Sequence, residues 1–254
     1  MNIIMNIKCF KFFKNLFLIV LILLFITSCK KDSKTSDIIE TGTVADIEGT
    51  VYKTVKIGNQ WWMAENLKTT KYRNGDSIQN ITDTLNWHHT QSGAYCNYSN
   101  DTLNVKKYGH LYNWYAVTDS RCIAPVGWHV PSDDEWKVLE EHLGMNQSDA
   151  NRVNWRGTNE GNKLKTVGQN GWNASSDVYN VWGTNESGFS ALAGGCRIFN
   201  GIWGNPALWA TGFWWSVSEL KNEAWYRYLD YQKTNVFRFY GPKTYGFSVR
   251  CVKN

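Results

Sequence analysis

The sequence predicts an α+β domain built from antiparallel sheets, two short helices and long loops. Strand-like segments come first along the chain, two helical patterns follow, and four β-rich runs close it. Helices that are segregated from an antiparallel sheet in this way are typical of the α+β class. We expect this domain to occupy residues 44–254.

The first strands are indicated by alternating side chains and by turn residues. Residues 44–47 and 51–57 have the pattern of two strands, and the second is rich in β-branched residues. Gly58 and Asn59 form a dipeptide that favours a tight hairpin turn. A third strand is therefore predicted over residues 60–64.

Two helices are predicted in the middle of the chain. Residues 108–117 carry apolar side chains at spacings of three and four, the period of a helix that faces a core. A capping box that begins at Ser132 predicts a second helix over residues 133–143. Residues 68–107 lack such periodicity and are predicted to be irregular, and residues 145–195 are predicted to be long loops with short strands.

The end of the domain is predicted to be an antiparallel meander. Strand patterns cover residues 212–217, 224–231, 236–240 and 245–252, and polar or glycine-containing turns separate them. The first and last strands of the domain lie at opposite ends of its sequence. Pairing between them would bring its termini together.

A lipoprotein signal peptide is predicted for residues 1–28. Lysines precede an apolar run over residues 16–26, which is shorter than the roughly 20 residues that span a bilayer. The run ends in a sequence that resembles a bacterial lipobox, whose cysteine would be Cys29. We expect lipidation of Cys29 and a flexible tether over residues 29–43. An ordinary transmembrane anchor or a plain secretory signal is the alternative.

Composition narrows the choice of partners. The net charge of +5 falls to +2 without the signal peptide, and no basic cluster lies within the domain, so nucleic acid is not expected. The chain has 14 Trp and 13 Tyr, which suits aromatic core clusters and also rings that stack on sugars. The expected partners are the membrane, through the lipid, and a glycan or surface protein.

The four cysteines of the domain are predicted to meet oxidising conditions outside the cytoplasm. Four cysteines allow three connectivities, and two disulfides, or one disulfide and two free thiols, are expected. We favour Cys122 with Cys251, because the closing strand must be fixed to the body of the fold. Cys96 and Cys196 would be the remaining pair. No Cys-x-x-Cys spacing indicates zinc or a redox site.

Six sequence blocks occur in order along the domain. They cover residues 55–68, 108–114, 122–136, 188–195, 214–216 and 246–251. Together they resemble the Fibrobacter succinogenes major paralogous domain family, which occurs in secreted and lipid-anchored proteins of Bacteroidetes and Fibrobacteres. The resemblance covers residues 44–254. It implies a fold similar to C-type lectins and to the formylglycine-generating enzyme domain, and it implies no particular reaction.

Catalytic and metal-binding patterns are weak. Adjacent His88 and His89 would point apart on a strand, and a lectin-type calcium tripeptide around proline is missing. Ser132 lies near His129 and Asp133, but its position is explained by the helix cap. We predict no catalytic residue, metal or cofactor. An enzyme related to the formylglycine-generating fold is the least favoured alternative, because the thiols are far apart in sequence.

A local cluster of tryptophans in the sequence indicates a ligand-binding region near residues 197–215. Aromatic rings beside a guanidinium suit sugar or peptide recognition, whereas core packing is the alternative. The predicted binding residues are Arg197, Trp203, Trp209, Trp214 and Trp215. The sequence thus predicts a lipid-anchored cell-envelope protein, at the outer membrane, with a non-catalytic domain that binds carbohydrate or protein. A structural or adhesive surface protein without a small-molecule site is the main alternative.

Replacement of Cys29 by Ala is expected to abolish fatty-acid incorporation and to release the protein from membranes, because the acylated thiol is the anchor. Metabolic labelling with a radioactive fatty acid and membrane fractionation measure both effects. Cys9→Ala, within the signal peptide, is the control and should be labelled normally. Label on the Cys29→Ala protein would contradict the prediction.

Overall fold

Antiparallel strand pairing dominates the fold. A computed structural model of the protein describes residues 39–168, 171–172, 183–204 and 210–254. The strands are β1 (Thr41–Ala45), β2 (Val51–Ile57), β3 (Gln60–Met63), β4 (Gln79–Asn80), β5 (Ala94–Cys96), β6 (Leu111–Tyr112), β7 (Trp128–His129), β8 (Asn154–Arg156), β9 (Thr211–Leu220), β10 (Glu223–Asp230), β11 (Val236–Pro242) and β12 (Val252–Lys253). The helices are α1 (Thr84–His89), α2 (Val105–Tyr108), α3 (Trp114–Val117), α4 (Asp133–His142), α5 (Gln147–Ala150) and α6 (Glu160–Leu164).

The strands form three sheets. Their strand orders are β1-β2-β3-β12-β7, β8-β11-β10-β9 and β4-β5-β6. All pairings in the first two sheets are antiparallel, whereas β4 and β5 pair in parallel. A fold that is mostly β with a few short helices confirms the α+β class.

The N-terminal hairpin confirms the sequence prediction closely. Strand β2 covers the predicted residues 51–57, and the turn after it places Ile57 opposite Gln60. Gly58 has a φ of 60°, a left-handed value that glycine adopts easily. Strand β1 begins at Thr41, somewhat earlier than predicted, and pairs with β2 along its whole length.

The predicted helix over residues 108–117 is wrong in its first half. Helix α2 ends just before Gly109, whose φ of 75° takes the chain out of the helix. Strand β6 follows and pairs with β5. Helix α3 then begins behind Asn113, whose side chain accepts a hydrogen bond from the Ala116 amide.

Helix α4 confirms the predicted capping box. The Ser132 hydroxyl accepts a hydrogen bond from the Glu135 amide at 3.2 Å, and the Glu135 carboxylate accepts one from the Ser132 amide at 2.8 Å. Trp136 and Leu139, on the predicted apolar stripe, are buried. The helix ends at His142, just before the predicted end.

Two stretches predicted as loops contain short regular elements. Residues 68–107 include α1, α2, β4 and β5, and residues 145–195 include α5, β8 and α6. Helix α1 has six residues, and the Asp83 side chain caps it by accepting from the Asn86 amide. Elements of this length cover too few turns to show a periodic apolar pattern.

The predicted closing strand over residues 245–252 is wrong over most of its length. Phe247 forms a single bridge with Tyr112 of β6, and Ser248 forms one with Trp214 of β9. Strand β12 follows and pairs with β3 and β7. The last strand therefore joins the N-terminal sheet through β3 instead of β1. Residues 246–253, which we call the closing segment, thus contact strands of all three sheets.

The core consists of three clusters of buried side chains. The first surrounds the closing segment, the second includes the apolar stripe of α4, and the third includes the indole of α1. Their buried tryptophans are Trp114, Trp128 and Trp215 in the first cluster, Trp62, Trp136, Trp172 and Trp214 in the second, and Trp87 in the third.

A buried ion cluster fastens α4 to the four-stranded sheet. Asp133 contacts Arg227 and Arg238 at 2.7 Å each, and Glu140 contacts Arg227 and Arg156 at 2.6 Å each. These five side chains are at most 7% exposed. A buried charge without its partner costs several kcal/mol. The arginine-bearing face of the sheet is therefore held beneath α4.

The arginines of this cluster lower the pKa of Asp133. Burial by itself would raise the pKa of Asp133. Hydrogen bonds and charges from Arg238 and Arg227 outweigh that effect and hold the pKa well below its usual value. A carboxyl with a depressed pKa stabilises the folded state above its unfolded-state pKa, and this contribution is lost as the pH falls further.

Asp133→Asn or Glu140→Gln is expected to lower the free energy of unfolding by about 3–5 kcal/mol, because the first leaves Arg238 and the second leaves Arg156 buried without a carboxylate partner. Urea denaturation measures the change. Asp134→Asn, an exposed neighbour on α4, is the control and should cost less than about 1 kcal/mol. Equal effects at positions 133 and 134 would contradict the role of the ion cluster.

The ion cluster also predicts acid sensitivity. Stability should fall as the pH drops below about 4, the ordinary range of an Asp pKa, because the unfolded state then binds a proton at Asp133 that the folded state, with its lowered pKa, does not bind. Thermal unfolding followed between pH 7 and pH 2 provides the measurement. The Asp133→Asn protein should lose less stability over the same interval, and an identical slope would contradict the assignment.

Candidate functional site

Two of the predicted ligand-binding tryptophans are core residues. Trp214 and Trp215 are adjacent on β9, so their rings lie on opposite faces of the sheet. The Trp214 indole donates to Asn66 Oδ1 at 3.0 Å, and that of Trp215 donates to the Tyr112 carbonyl at 2.8 Å. Both residues are at most 1% exposed. Their predicted binding role is corrected, because neither ring offers a face to a ligand.

Arg197 is also buried, and its guanidinium holds two loops together. It lies between the rings of Trp87 and Trp203, 4.6 and 5.0 Å from their centroids. It donates hydrogen bonds to four main-chain carbonyls, those of Ile81, Thr82, Asp83 and Gly201. The prediction that Arg197 binds ligand is corrected, because its nitrogen atoms are engaged within the protein.

Trp203 is the one predicted binding residue that the described part of the chain places at the surface. It is half-buried, with one side against Arg197 and its ring centroid 5.3 Å from that of Tyr98. Trp209 and Cys29 lie outside the described residues. The five predicted residues therefore do not form one common site where the structure describes them.

The four cysteines of the domain are free thiols in the structure. Cys96 belongs to the third core cluster and Cys196 to the first. Cys122 packs against the first cluster, which contains Cys251, and no disulfide joins them. Burial raises the pKa of Cys96 and Cys196 to about 12, so both behave as small apolar side chains. The predicted disulfides are corrected accordingly.

A row of partly exposed aromatic rings lies on the four-stranded sheet, on the face opposite α4. It consists of Trp155 on β8, Tyr228 on β10, and Phe237 and Phe239 on β11. We call these four residues the aromatic shelf. Each is half-buried, and the three core clusters do not include them.

The rings of the aromatic shelf are tilted against one another. The Trp155 centroid is 5.1 Å from that of Tyr228 and 5.2 Å from that of Phe237, which lies 5.7 Å from Phe239. Tyr228 stacks on Phe213 at 4.5 Å with an interplanar angle of 6°. Because Phe213 packs against the first core cluster, the shelf is fixed to the core at this end.

Hydrogen-bonding groups border the shelf at the turn between β10 and β11. The Tyr228 hydroxyl donates to the Asp230 carboxylate, which also accepts from the Gln232 amide at 2.7 Å. The Lys233 ammonium lies 5.9 Å from the centre of the Trp155 ring. Gln232 and Lys233 are exposed. Burial and the bond to Asp230 raise the pKa of Tyr228, so its hydroxyl remains a donor.

The sequence contains a signal for the shelf that local strand and turn patterns do not report. In three strands an arginine directly follows or separates aromatic residues. These stretches are Trp155-Arg156, Tyr226-Arg227-Tyr228 and Phe237-Arg238-Phe239. Successive side chains of a strand point to opposite faces. Once the arginines are buried beneath α4, the neighbouring rings must lie on the other face.

Other polar groups serve the fold. His129 Nε2 lies 2.7 Å from Glu135 Oε1, but the same carboxylate caps α4. Within the described ranges, no three His, Cys, Asp or Glu side chains come together as metal ligands. In the same part of the chain, the helices are all too short or too polar to cross a membrane.

Comparison with known proteins identifies the family. The sequence profile of the Fibrobacter succinogenes major domain matches residues 55–253, which is most of the chain. The chain belongs to that family, as the six sequence blocks predicted. No curated protein and no solved structure matches the chain.

Arg197→Met is expected to lower the free energy of unfolding by about 3 kcal/mol, because it leaves buried carbonyl oxygens without donors. Urea denaturation measures the loss, and amide exchange should locate it in residues 81–84 and 198–203. Arg121→Met is the control, because the Arg121 side chain is 40% exposed and its surface ion pairs contribute about 0–1 kcal/mol. Equal losses would contradict the structural role of Arg197.

Proposed function

We propose that this member of the Fibrobacter succinogenes major domain family is a lipid-anchored cell-envelope protein that binds a carbohydrate without turning it over. The aromatic shelf is the proposed binding surface. The observation that carries the proposal is the position of four aromatic side chains outside the core clusters, partly exposed and next to hydrogen-bonding groups.

The chemistry of the shelf suits a sugar. A sugar ring has apolar C–H faces that pack on aromatic rings and hydroxyls that need donors and acceptors at the edge. Trp155 offers the largest ring, and Lys233 lies over it. The exposed Gln232 side chain supplies a polar group nearby. Beside a sugar on Trp155, the Lys233 ammonium can donate a hydrogen bond to a hydroxyl or an acidic substituent.

A protein ligand is the second candidate, and Phe237 with Phe239 favours it. These two rings have no polar atoms, and their planes are tilted by 38°. Tilted apolar rings resemble the aromatic centre of a protein interface more than a flat sugar platform. On this alternative the chain is a structural or adhesive surface protein, and the shelf is its contact surface.

The proposal also covers the cellular location of the protein and its C-type-lectin-like fold. The basic and apolar start of the sequence and the lipobox-like end at Cys29 support a lipid anchor, with the domain held outside the cytoplasm at the outer membrane. A C-type-lectin-like arrangement is supported by the family resemblance. The union of the last strand with the N-terminal sheet is consistent with it.

Trp155→Ala is expected to weaken glycan binding by about tenfold or more, since it removes the main stacking ring of the shelf. A glycan array on the full chain in detergent finds the ligand, and calorimetric titration then measures the dissociation constant. Phe237→Ala should weaken binding to a smaller extent.

Trp203→Ala is the matched control, because Trp203 is a half-buried indole away from the shelf. It should bind like the unchanged protein. Loss of binding in Trp203→Ala with full binding in Trp155→Ala would move the site to residues 197–203 and refute the shelf. No glycan bound, together with capture of a purified surface protein that Trp155→Ala abolishes, would favour the protein ligand.

A further inference from the structure

A buried lysine donates hydrogen bonds to the turn next to the aromatic shelf. The Lys165 side chain is fully buried at the end of α6. Its ammonium donates to the Asp230 carbonyl at 3.1 Å and to the Lys233 carbonyl at 2.7 Å. It also lies 5.5 Å from the centre of the Trp172 ring. One cationic group thus holds both ends of the short turn between β10 and β11.

Helix α6 and the loop before it make three further contacts with the same turn. The Asn162 amide donates to the Thr234 carbonyl at 3.0 Å, and the Thr234 hydroxyl donates to the Thr158 carbonyl at 2.6 Å. Gly161 lies so near that a Cβ there would collide with the carbonyl oxygens of Thr234 and Asn235. A glycine is therefore required where helix and turn meet.

The burial of Lys165 has an energetic cost. Desolvation lowers its pKa to about 8, although the Asp230 carboxylate opposes this shift. A buried ammonium is tolerated only where its donors are satisfied, and here the turn carbonyls satisfy them. The arrangement couples the lysine and the turn: neither keeps its hydrogen bonds if the other moves.

The turn held by Lys165 contains the hydrogen-bonding groups at the edge of the aromatic shelf. It presents the Lys233 ammonium over Trp155 and begins at Asp230, whose carboxylate binds the Tyr228 hydroxyl. A loop that is already ordered in its binding conformation loses less entropy when the ligand arrives. The order of this turn therefore bears directly on affinity.

We propose that Lys165 is a positioning residue for the ligand-binding surface, and that it fixes residues 231–235 so that Lys233 stands over Trp155 before the ligand binds. This inference rests on the proposed function of the shelf. Lys165 has no contact with the ligand. It acts through the main chain of the turn, and its loss weakens binding while the shelf rings remain in place.

The test compares Lys165→Met with Lys163→Met in the full chain. Lys163 is the matched control, because it lies on the same helix and donates to a main-chain carbonyl of Leu143, away from the turn. Amide exchange at Gln232 and Lys233 should be about tenfold faster in Lys165→Met and unchanged in Lys163→Met. Exchange in α4 should be unchanged in both proteins, which separates a local effect from general unfolding.

Affinity is the second readout. Lys165→Met should bind the glycan found on the array about tenfold more weakly, whereas Lys163→Met should bind normally. Thr234→Val, which removes only the surface bond to Thr158, covers the case in which Lys165→Met does not fold. It should show the same two effects at smaller size.

The outcomes separate the two proposals. Unchanged exchange and affinity in Lys165→Met, or in Thr234→Val if Lys165→Met does not fold, would overturn the positioning role, while loss of binding in Trp155→Ala would still support the shelf. Faster exchange with unchanged affinity would also overturn it. If the unchanged protein binds no glycan, the proposed function fails, and the inference fails with it.

Discussion

The buried ion cluster between α4 and the four-stranded sheet decides which side chains of that sheet point toward α4 and which point away from it. Asp133 and Glu140 form buried ion pairs with Arg156, Arg227 and Arg238, and these pairs hold the three arginines on one face of the sheet. Because successive side chains of a strand point to opposite faces of the sheet, the residues next to these arginines face away from α4. The cluster therefore places the neighbouring aromatic residues on the face that points away from α4, although it makes no contact with them.

Buried cations that bind main-chain carbonyls are a second principle of this fold. Arg197, Lys165 and Arg250 direct their donors to loop carbonyls, and burial lowers the pKa of Arg250 to about 9. Loops that pass through an interior have carbonyl groups that no sheet or helix satisfies. Long cationic side chains reach these groups from a distance, so the fold can keep irregular segments inside its core.

The sequence predicted the elements that local interactions determine. The N-terminal hairpin and the start of α4 depend on turn and capping residues such as Gly58 and Ser132, which act within a few positions of themselves. The path of residues 245–252 depends on contacts with three distant sheets, and local patterns do not report such contacts. Arg197 looked like a binding residue because sequence shows its charge but hides the carbonyls around it.

The closing segment gives the chain a particular route to its folded state. The hairpins β2-β3 and β9-β10-β11 join neighbouring residues, so they close short loops at small entropic cost. The closing segment joins these hairpins through main-chain hydrogen bonds. The Met63 amide donates to the Cys251 carbonyl, the Leu67 amide to that of Val249, and the Tyr112 amide to that of Phe247. These partners are far apart along the chain, and such contacts form slowly. We therefore expect the hairpins to form early in folding and the insertion of residues 246–253 between them to be a late step.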